Sequence, residues 1–463
     1  VVKVARPRER GIFSQIKAEN RRNIRDLARF SNADLAEKAH SERGASFATG
    51  CLDLKFSEVR TMTNQAFATR ALHGGRPAST PAPTNPGAVV TPIFQTTTYA
   101  QPRLGEDRRF TYSRASNPTV SALEATLARL EGLPHALAFS SGMGAITTLL
   151  LTVLGAGDRV VVSRVVYGGT TRLLHEVLGR FGVEAVFVDT ADPVAVEAAL
   201  SPNTRLILAE SPGNPTLELA DLAAVGELAQ RWGIPLAVDN TFLTAALQRP
   251  AEFGASVVIY STTKFIEGHN AAVGGALLFA DGDLARRAER VRKTAGTIQT
   301  PWNAWLTLQG VKTLHLRLQQ HSANALELAR WLEGRSEVER VAYPFLESFP
   351  QVALARRQQG AGGGLVSFAL RGGLAAARPF IGHLGDPAHG GLIQAAENLG
   401  AVETLITHPA TMTHGDLAPA RRRALGITEG LLRLSVGLED PTDLKRALAD
   451  ALEAIPAAVE VTP

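Results

Sequence analysis

From about residue 134 to residue 280 the chain alternates short, mainly apolar runs with longer stretches whose apolar residues recur at helical spacing. The runs at 136–139, 159–163, 184–188, 205–209, 235–238, 256–260 and 274–279 have the length and mainly apolar character of buried strands. Helical stretches separate most of them. Residues 222–232 show the period best, with Leu222, Val225, Leu228 and Ala229 on one face. A further helix is predicted from about Pro118, where Val120, Leu123, Leu127 and Leu130 recur at the same spacing. Such an order predicts an α/β fold: a mainly parallel sheet with helices on both faces, joined by right-handed crossovers.

The texture changes on either side of this region. Residues 76–108 are rich in Pro, Thr and Gly and keep no period, which reads as an extended arm over a surface. Beyond about 308, one long helix over roughly 305–334 is expected, then shorter strands around 338–343, 364–370, 402–406 and 431–436. They predict a smaller C-terminal α+β domain. The expected organisation is an extension at 1–61 outside the fold, an arm at 62–116, a large domain at 117–307 and a small domain at 308–463.

Composition narrows the setting. The 463 residues suffice for a large core, and 45% hydrophobic with 20% charged residues is an ordinary soluble balance. No apolar stretch is long enough to span a membrane and no signal-peptide pattern opens the chain. The single cysteine, Cys51, can form neither an internal disulfide nor a thiolate metal cluster, so the cytoplasm is the expected compartment. The net charge of +4 is local. Residues 1–61 hold 13 of the 48 Lys and Arg but 8 of the 44 Asp and Glu, leaving the remainder close to neutral. As the first methionine is Met62, this segment reads as an accessory tail or an upstream stretch included by a misplaced start. Arg21, Arg22 and Arg25 are diluted by Glu19, Asp26 and Asp34 and lack interleaved aromatics, so nucleic-acid binding is not expected. The eleven histidines show no metal-binding spacing with a suitable carboxylate, and His408 and His414 read as structural.

Candidate chemistry gathers at the ends of the predicted strands. Asp239 and Lys264 each follow an apolar run, at the edge where open α/β sheets bind ligands. A lysine able to form a Schiff base and a carboxylate able to keep a pyridine nitrogen protonated are the minimum apparatus for pyridoxal phosphate. Taken singly, they read as a helix cap and a solvated surface lysine. Their neighbours shift the balance. Phe139-Ser-Ser-Gly-Met-Gly-Ala145 lies between a strand and an apolar helix, a turn suited to an anion. Ser261 and Thr263 add hydroxyls just before the lysine, Tyr167 can stack on a ring, and Asn214 can reach a ring oxygen.

Together these motifs resemble the Cys/Met-metabolism family of pyridoxal-phosphate enzymes, from about Thr69 to about Ala447. The resemblance rests on Tyr112-Ser-Arg114 with Asn117-Pro-Thr119, Ser140-Ser-Gly-Met143, Tyr167-Gly-Gly-Thr170, Glu210-Ser-Pro-Gly-Asn-Pro215, Asp239-Asn-Thr-Phe242, and Ser261-Thr-Thr-Lys-Phe265 with Gly268-His269. His408-Pro-Ala-Thr-Met-Thr-His414 and Leu432-Arg-Leu-Ser-Val-Gly-Leu-Glu-Asp440 extend it. It implies the type I, aspartate-aminotransferase-like fold of pyridoxal-phosphate enzymes and a homotetramer built as a pair of dimers. It also implies Lys264 as the Schiff-base lysine, Asp239 as pyridinium partner, Tyr167 stacked on the ring and active in proton transfer, and Asn214 on the ring oxygen. Gly142, Met143, Ser261 and Thr263 would hold the phosphate, and Tyr112 and Arg114 would reach the phosphate of a neighbouring subunit. Arg433 would bind the substrate α-carboxylate.

Within the family the signals diverge. Glu397 and Arg172, in Thr171-Arg-Leu173, resemble the cystathionine branch, suited to the amino group and carboxylate of a distal cysteine moiety. Gly169 differs from the cysteine typical of methionine γ-lyases. Asn398, where Ser is usual, and Gln309, where Arg is usual, resemble O-acetylhomoserine sulfhydrylases, although Gln309 equally reads as a helix-surface change. The resulting expectation is γ-replacement on an O-acyl-homoserine by cysteine, with cystathionine γ-lysis second and direct sulfhydrylation third. A non-catalytic relative would have lost the lysine, its aspartate or the arginine, and all three are present.

Overall fold

The computed structural model describes residues 65–74, 87–103, 105 and 109–456. Contacts divide the chain into Val1–Thr49 and Gly50–Pro463, and every described residue belongs to the second unit. The expectations for residues 1–61 fall outside the described residues.

The apolar runs become β1 (His135–Phe139), β2 (Arg159–Ser163), β3 (Glu184–Val188), β4 (Thr204–Glu210), β5 (Leu236–Asp239), β6 (Val257–Tyr260) and β7 (Gly275–Phe279). Each lies within one residue of its predicted bounds. They form one sheet in the order β1-β7-β6-β5-β4-β2-β3. Only β7 is reversed, antiparallel to both β6 and β1. Side chains alternate between two cores, as the two-residue pleat demands. Ala138, Val161, Ile207, Val238 and Val258 pack with Leu123 and Leu127 of the helix Pro118–Glu131 and Val225 and Leu228 of the helix Leu222–Trp232. Phe139, Val160, Leu206, Ala237 and Ile259 pack with Ile146 and Leu149 of the helix Gly142–Val153 and Ala288 of the helix Gly282–Ala295. Both faces are therefore covered, which leaves the strand ends to carry function.

The expected long helix is two, Pro301–Val311 and Leu314–Glu333. At the break, the N–H groups of Lys312 and Thr313 turn back to the Gln309 and Gly310 carbonyls, at 3.2 Å each. The Gly310 carbonyl also accepts from Arg317 Nη2 at 2.8 Å, a contact between successive helices that periodicity does not register. A second sheet follows: β8 (Val338–Ala342), β9 (Leu365–Leu370), β10 (Gln394–Ala395), β11 (Leu405–Thr407) and β12 (Leu431–Ser435), in the order β10-β11-β12-β9-β8. The two-residue β10 is too short to leave a pattern. In the arm, Thr98 bridges Tyr112, while Asn117 and Thr119 hold the Phe94 and Pro92 carbonyls at 2.8 Å. Among the described residues no helix is long and apolar enough to cross a membrane.

Candidate active site

The carboxyl ends of β2, β4, β5 and β6 lie along one sheet edge, because these strands run parallel. The strand order reverses at β2, with β3 on one side and β4 on the other, the position where open α/β sheets leave a crevice. A cavity of about 320 Å³ opens there, lined by Ser141, Gly142, Met143, Tyr167, Glu210, Asn214, Asp239, Thr241, Ser261, Thr263, Lys264, Glu397, Asn398, Thr413 and Arg433, among others. Most of the predicted site residues thus meet in one place.

Lys264 follows β6. Its Nζ donates to Asn398 Oδ1 at 2.5 Å. Burial, then the positive Arg433, pulls the ammonium down to about 8, against the opposing pull of Glu397. Asp239 closes β5 and accepts from the Thr241 N–H at 3.0 Å and hydroxyl at 2.6 Å. It stands in register beside Glu210 of β4. Burial raises both carboxyls above their ordinary range, and for Glu210 the neighbouring Asp239 adds to the rise. Glu210 accepts two backbone N–H groups, from Tyr167 at 2.8 Å and Asn214 at 3.0 Å. It thereby ties together the turns that carry the predicted ring-stacking and ring-oxygen groups. In the sequence Glu210 stands out only as the first residue of a turn motif.

The helix Gly142–Val153 presents its first turn to the cavity. Ser141 caps it, taking the Gly144 N–H on its hydroxyl at 2.9 Å. Gly142 and Met143 remain first-turn donors without intrahelical acceptors, the arrangement that holds an anion. A Cβ on Gly142 would lie 2.9 Å from Ser261 Cβ, so only glycine allows this helix to meet the Ser261 loop. Thr263 donates its hydroxyl to the Gly274 carbonyl at 3.1 Å, which leaves Ser261 as the available hydroxyl of the two.

Arg433 lies on β12 and is 1% exposed. Its Nη1 donates to Asn214 Oδ1 at 2.9 Å and its Nη2 to Thr407 Oγ1 at 3.1 Å. Its Nε is buried without an acceptor among the described residues, an orphan donor that a ligand carboxylate would satisfy. Burial lowers this guanidinium to about 10, so it stays charged at neutral pH. The lysine and the raised carboxyl that line one cavity, the helix turn and the orphan arginine fit a phosphate-bearing carbonyl cofactor with an amino acid beside it.

Three predicted residues lie elsewhere. Arg172 ends the short helix Gly168–Arg172 and is ion-paired with Asp416. Tyr112 and Arg114 lie off the cavity, the Arg114 guanidinium 5.6 Å from the Tyr112 ring centroid and donating to the Lys293 carbonyl at 2.6 Å. Gln309 accepts from Lys312 at 2.8 Å on its own helix surface. His408 bonds the Glu429 carbonyl and Thr411, a structural role.

The profile of the family described as Cys/Met metabolism PLP-dependent enzyme matches residues 68–453. The chain is 43% identical to an L-methionine gamma-lyase of Pseudomonas putida, over 84% of this chain and 97% of that protein. It is 45% identical to an O-succinylhomoserine sulfhydrylase of Pseudomonas aeruginosa, over 78% and 89%. A solved cystathionine gamma synthase from Xanthomonas oryzae pv. oryzae superposes with a TM-score of 0.80 at 39% identity, covering 84% of this chain and 98% of that one.

Proposed function

This chain belongs to the Cys/Met-metabolism family of pyridoxal-phosphate-dependent enzymes, and from that premise we propose that it joins an O-acyl-homoserine to cysteine by γ-replacement, forming cystathionine. Bound in the cavity, pyridoxal phosphate supplies an electron sink that lets a proton leave the carbon beside the substrate carboxylate. Lys264 would anchor the cofactor covalently and, once freed, take that proton with an amine that burial has made less basic. Asp239 would serve the ring nitrogen and Gly142, Met143 and Ser261 would hold the phosphate, with Thr263, its hydroxyl engaged by Gly274, lining the same cavity. Asn214 holds Arg433 and would reach the ring oxygen, and Tyr167 would cover the ring and relay a proton to the leaving group. Arg433, with its orphan Nε, would hold the α-carboxylate. Tyr112 and Arg114, away from their own cavity, suit a site completed by a second copy in a homotetramer.

The observation that carries the choice of reaction is Glu397. Its carboxylate lines the same cavity as Arg433, which supplies a cation for one amino-acid end and an anion for the amino group of another. The ion pair of Arg172 with Asp416 favours direct sulfhydrylation as the second reading, because it engages the cation suited to a distal carboxylate. The deciding experiment offers the holoenzyme O-acetyl- or O-succinyl-homoserine with cysteine, the same donors with sulfide, and cystathionine alone. Cystathionine should form fastest; rapid product from sulfide with none from cysteine overturns the proposal. Replacement Lys264→Ala should abolish turnover. Glu397→Gln should raise KM for cysteine about tenfold, the scale of a charge-assisted hydrogen bond, and leave that for sulfide unchanged.

A further inference from the structure

The contact that holds Lys264 is the end of a chain. Asn398, whose Oδ1 meets the lysine, donates its Nδ2 to Asn270 Oδ1 at 2.5 Å. Asn270 donates its Nδ2 to Glu403 Oε2 at 3.1 Å. Asn270 has φ +55°, a left-handed conformation that asparagine tolerates better than most residues. Each amide can face either way, since its oxygen and nitrogen are nearly the same shape. The carboxylate cannot, because it carries no donor. It therefore requires the Asn270 nitrogen, which turns the Asn270 oxygen to Asn398 and the Asn398 oxygen to Lys264. Reversed, the chain would present an N–H to the lysine.

We propose that Glu403 is a positioning residue that sets the polarity of the Asn270–Asn398 amide chain and so keeps a hydrogen-bond acceptor against Lys264. The distinction matters because a neutral amine has a single lone pair. An acceptor engages one of its N–H bonds and leaves the pair free; a donor occupies the pair. With the pair free, the nitrogen adds to the cofactor's aldehyde carbon. Its two protons leave with the aldehyde oxygen as water while the C=N bond forms. The same pair accepts the substrate proton in turnover. This inference rests on Lys264 as the cofactor-binding lysine and not on which sulfur substrate follows.

The test adds pyridoxal phosphate to apoprotein without amino-acid substrate and follows the visible absorbance of the C=N chromophore. It therefore reads Glu403 separately from γ-replacement. Glu403→Asp, still acceptor-only, should react within about twofold of the parent, whereas Glu403→Lys, donor-only, should reverse the chain and slow bond formation about tenfold, the effect of one hydrogen bond. Adding Asn270→Asp to Glu403→Lys should restore most of the rate, because a carboxylate there accepts from Asn398 and pairs with the introduced ammonium. A merely structural role would make the rates of these variants follow their urea midpoints, whereas amide polarity changes the rate at an unchanged midpoint. If Glu403→Lys does not fold, Glu403→Gln serves, with an expected loss of about threefold for a mixed orientation. Parental rates in Glu403→Lys or Glu403→Gln, or failure of the second substitution to rescue, overturn the proposal.

Discussion

Gly169 shows how much a single hydrogen atom decides at the residue scale. A Cβ there would lie 2.5 Å from Tyr167 Cε1 and 3.0 Å from Met143 Sδ. The Tyr167 backbone cannot retreat, because its N–H is held by buried Glu210. The sequence marked Gly169 as a difference from methionine γ-lyases without showing what the missing side chain would touch. Gly169→Ala should displace the Tyr167 ring, weakening cofactor binding and lowering kcat by about tenfold each, the scale of overpacking by one methyl. Cofactor titration by fluorescence and steady-state kinetics check this; parental values in both would show that the ring has room to move. Asp239 and Lys264 were legible as a pair because each ends an apolar run. Glu210 was not, since its acceptors serve N–H groups 43 and 4 residues away in the chain.

At the scale of elements, the Lys264 loop depends on the helix Leu314–Glu333. Arg317, 4% exposed, donates from Nη1 to the Phe265 carbonyl at 2.7 Å and from Nη2 to Gly310 at 2.8 Å. Gly310 permits the approach, as a Cβ there would stand 2.0 Å from the Glu267 carbonyl oxygen. A planar guanidinium reaches both carbonyls at once, and a lysine cannot. Arg317→Lys should destabilise the fold by about 1–3 kcal/mol, since an ammonium that keeps Gly310, already served by the Thr313 N–H, leaves the buried Phe265 carbonyl unsatisfied. A urea midpoint equal to that of the parent would contradict this. Strand positions were readable because burial on both faces forces continuous apolar runs. The break between the two helices was not, because a carbonyl captured by a neighbouring arginine leaves no period and no proline.

For the molecule as a whole, His321 links the lysine loop to the second sheet. Its ring meets Phe265 edge-on at 5.3 Å, and its Nδ1 bonds the Val436 carbonyl at 2.7 Å, while Nε2 is buried without a partner among the described residues. Burial, helped by the charge of Arg317, holds this imidazole down at about 4. An unfolded histidine titrates near ~6.5. Between these values the unfolded chain binds a proton that the folded one refuses, so stability is full above about 6.5 and falls as the pH drops toward 4. The contribution is on the order of 3 kcal/mol. His414, also held at about 4 chiefly by burial, acts in the same direction. Glu131 opposes both, because burial raises it to about 8 and the folded state keeps its proton. His321→Asn retains a donor for Val436 and removes one titration. Its urea midpoint should fall less between pH 7 and pH 4.5 than the parent's; equal falls would exclude His321 as a source of acid sensitivity.

The amino-acid sequence by itself determined the order of strands and helices, the two apolar faces, and the residue types that name the cofactor chemistry. Each follows from local rules, namely pleat, helical period and the residues that end a strand. Tertiary structure decided the rest. Only packing brought Asn398 and Arg433 of the second sheet's neighbourhood onto Lys264 of the first, drew Arg172 away to Asp416, and gave Asn270 and Glu403 a bearing on the lysine. The physical reason is that an acceptor, an orphan donor or an ion pair is a relation between distant positions. Hydrophobic periodicity registers whether a position is buried, and it carries no record of which polar atom waits on the other side.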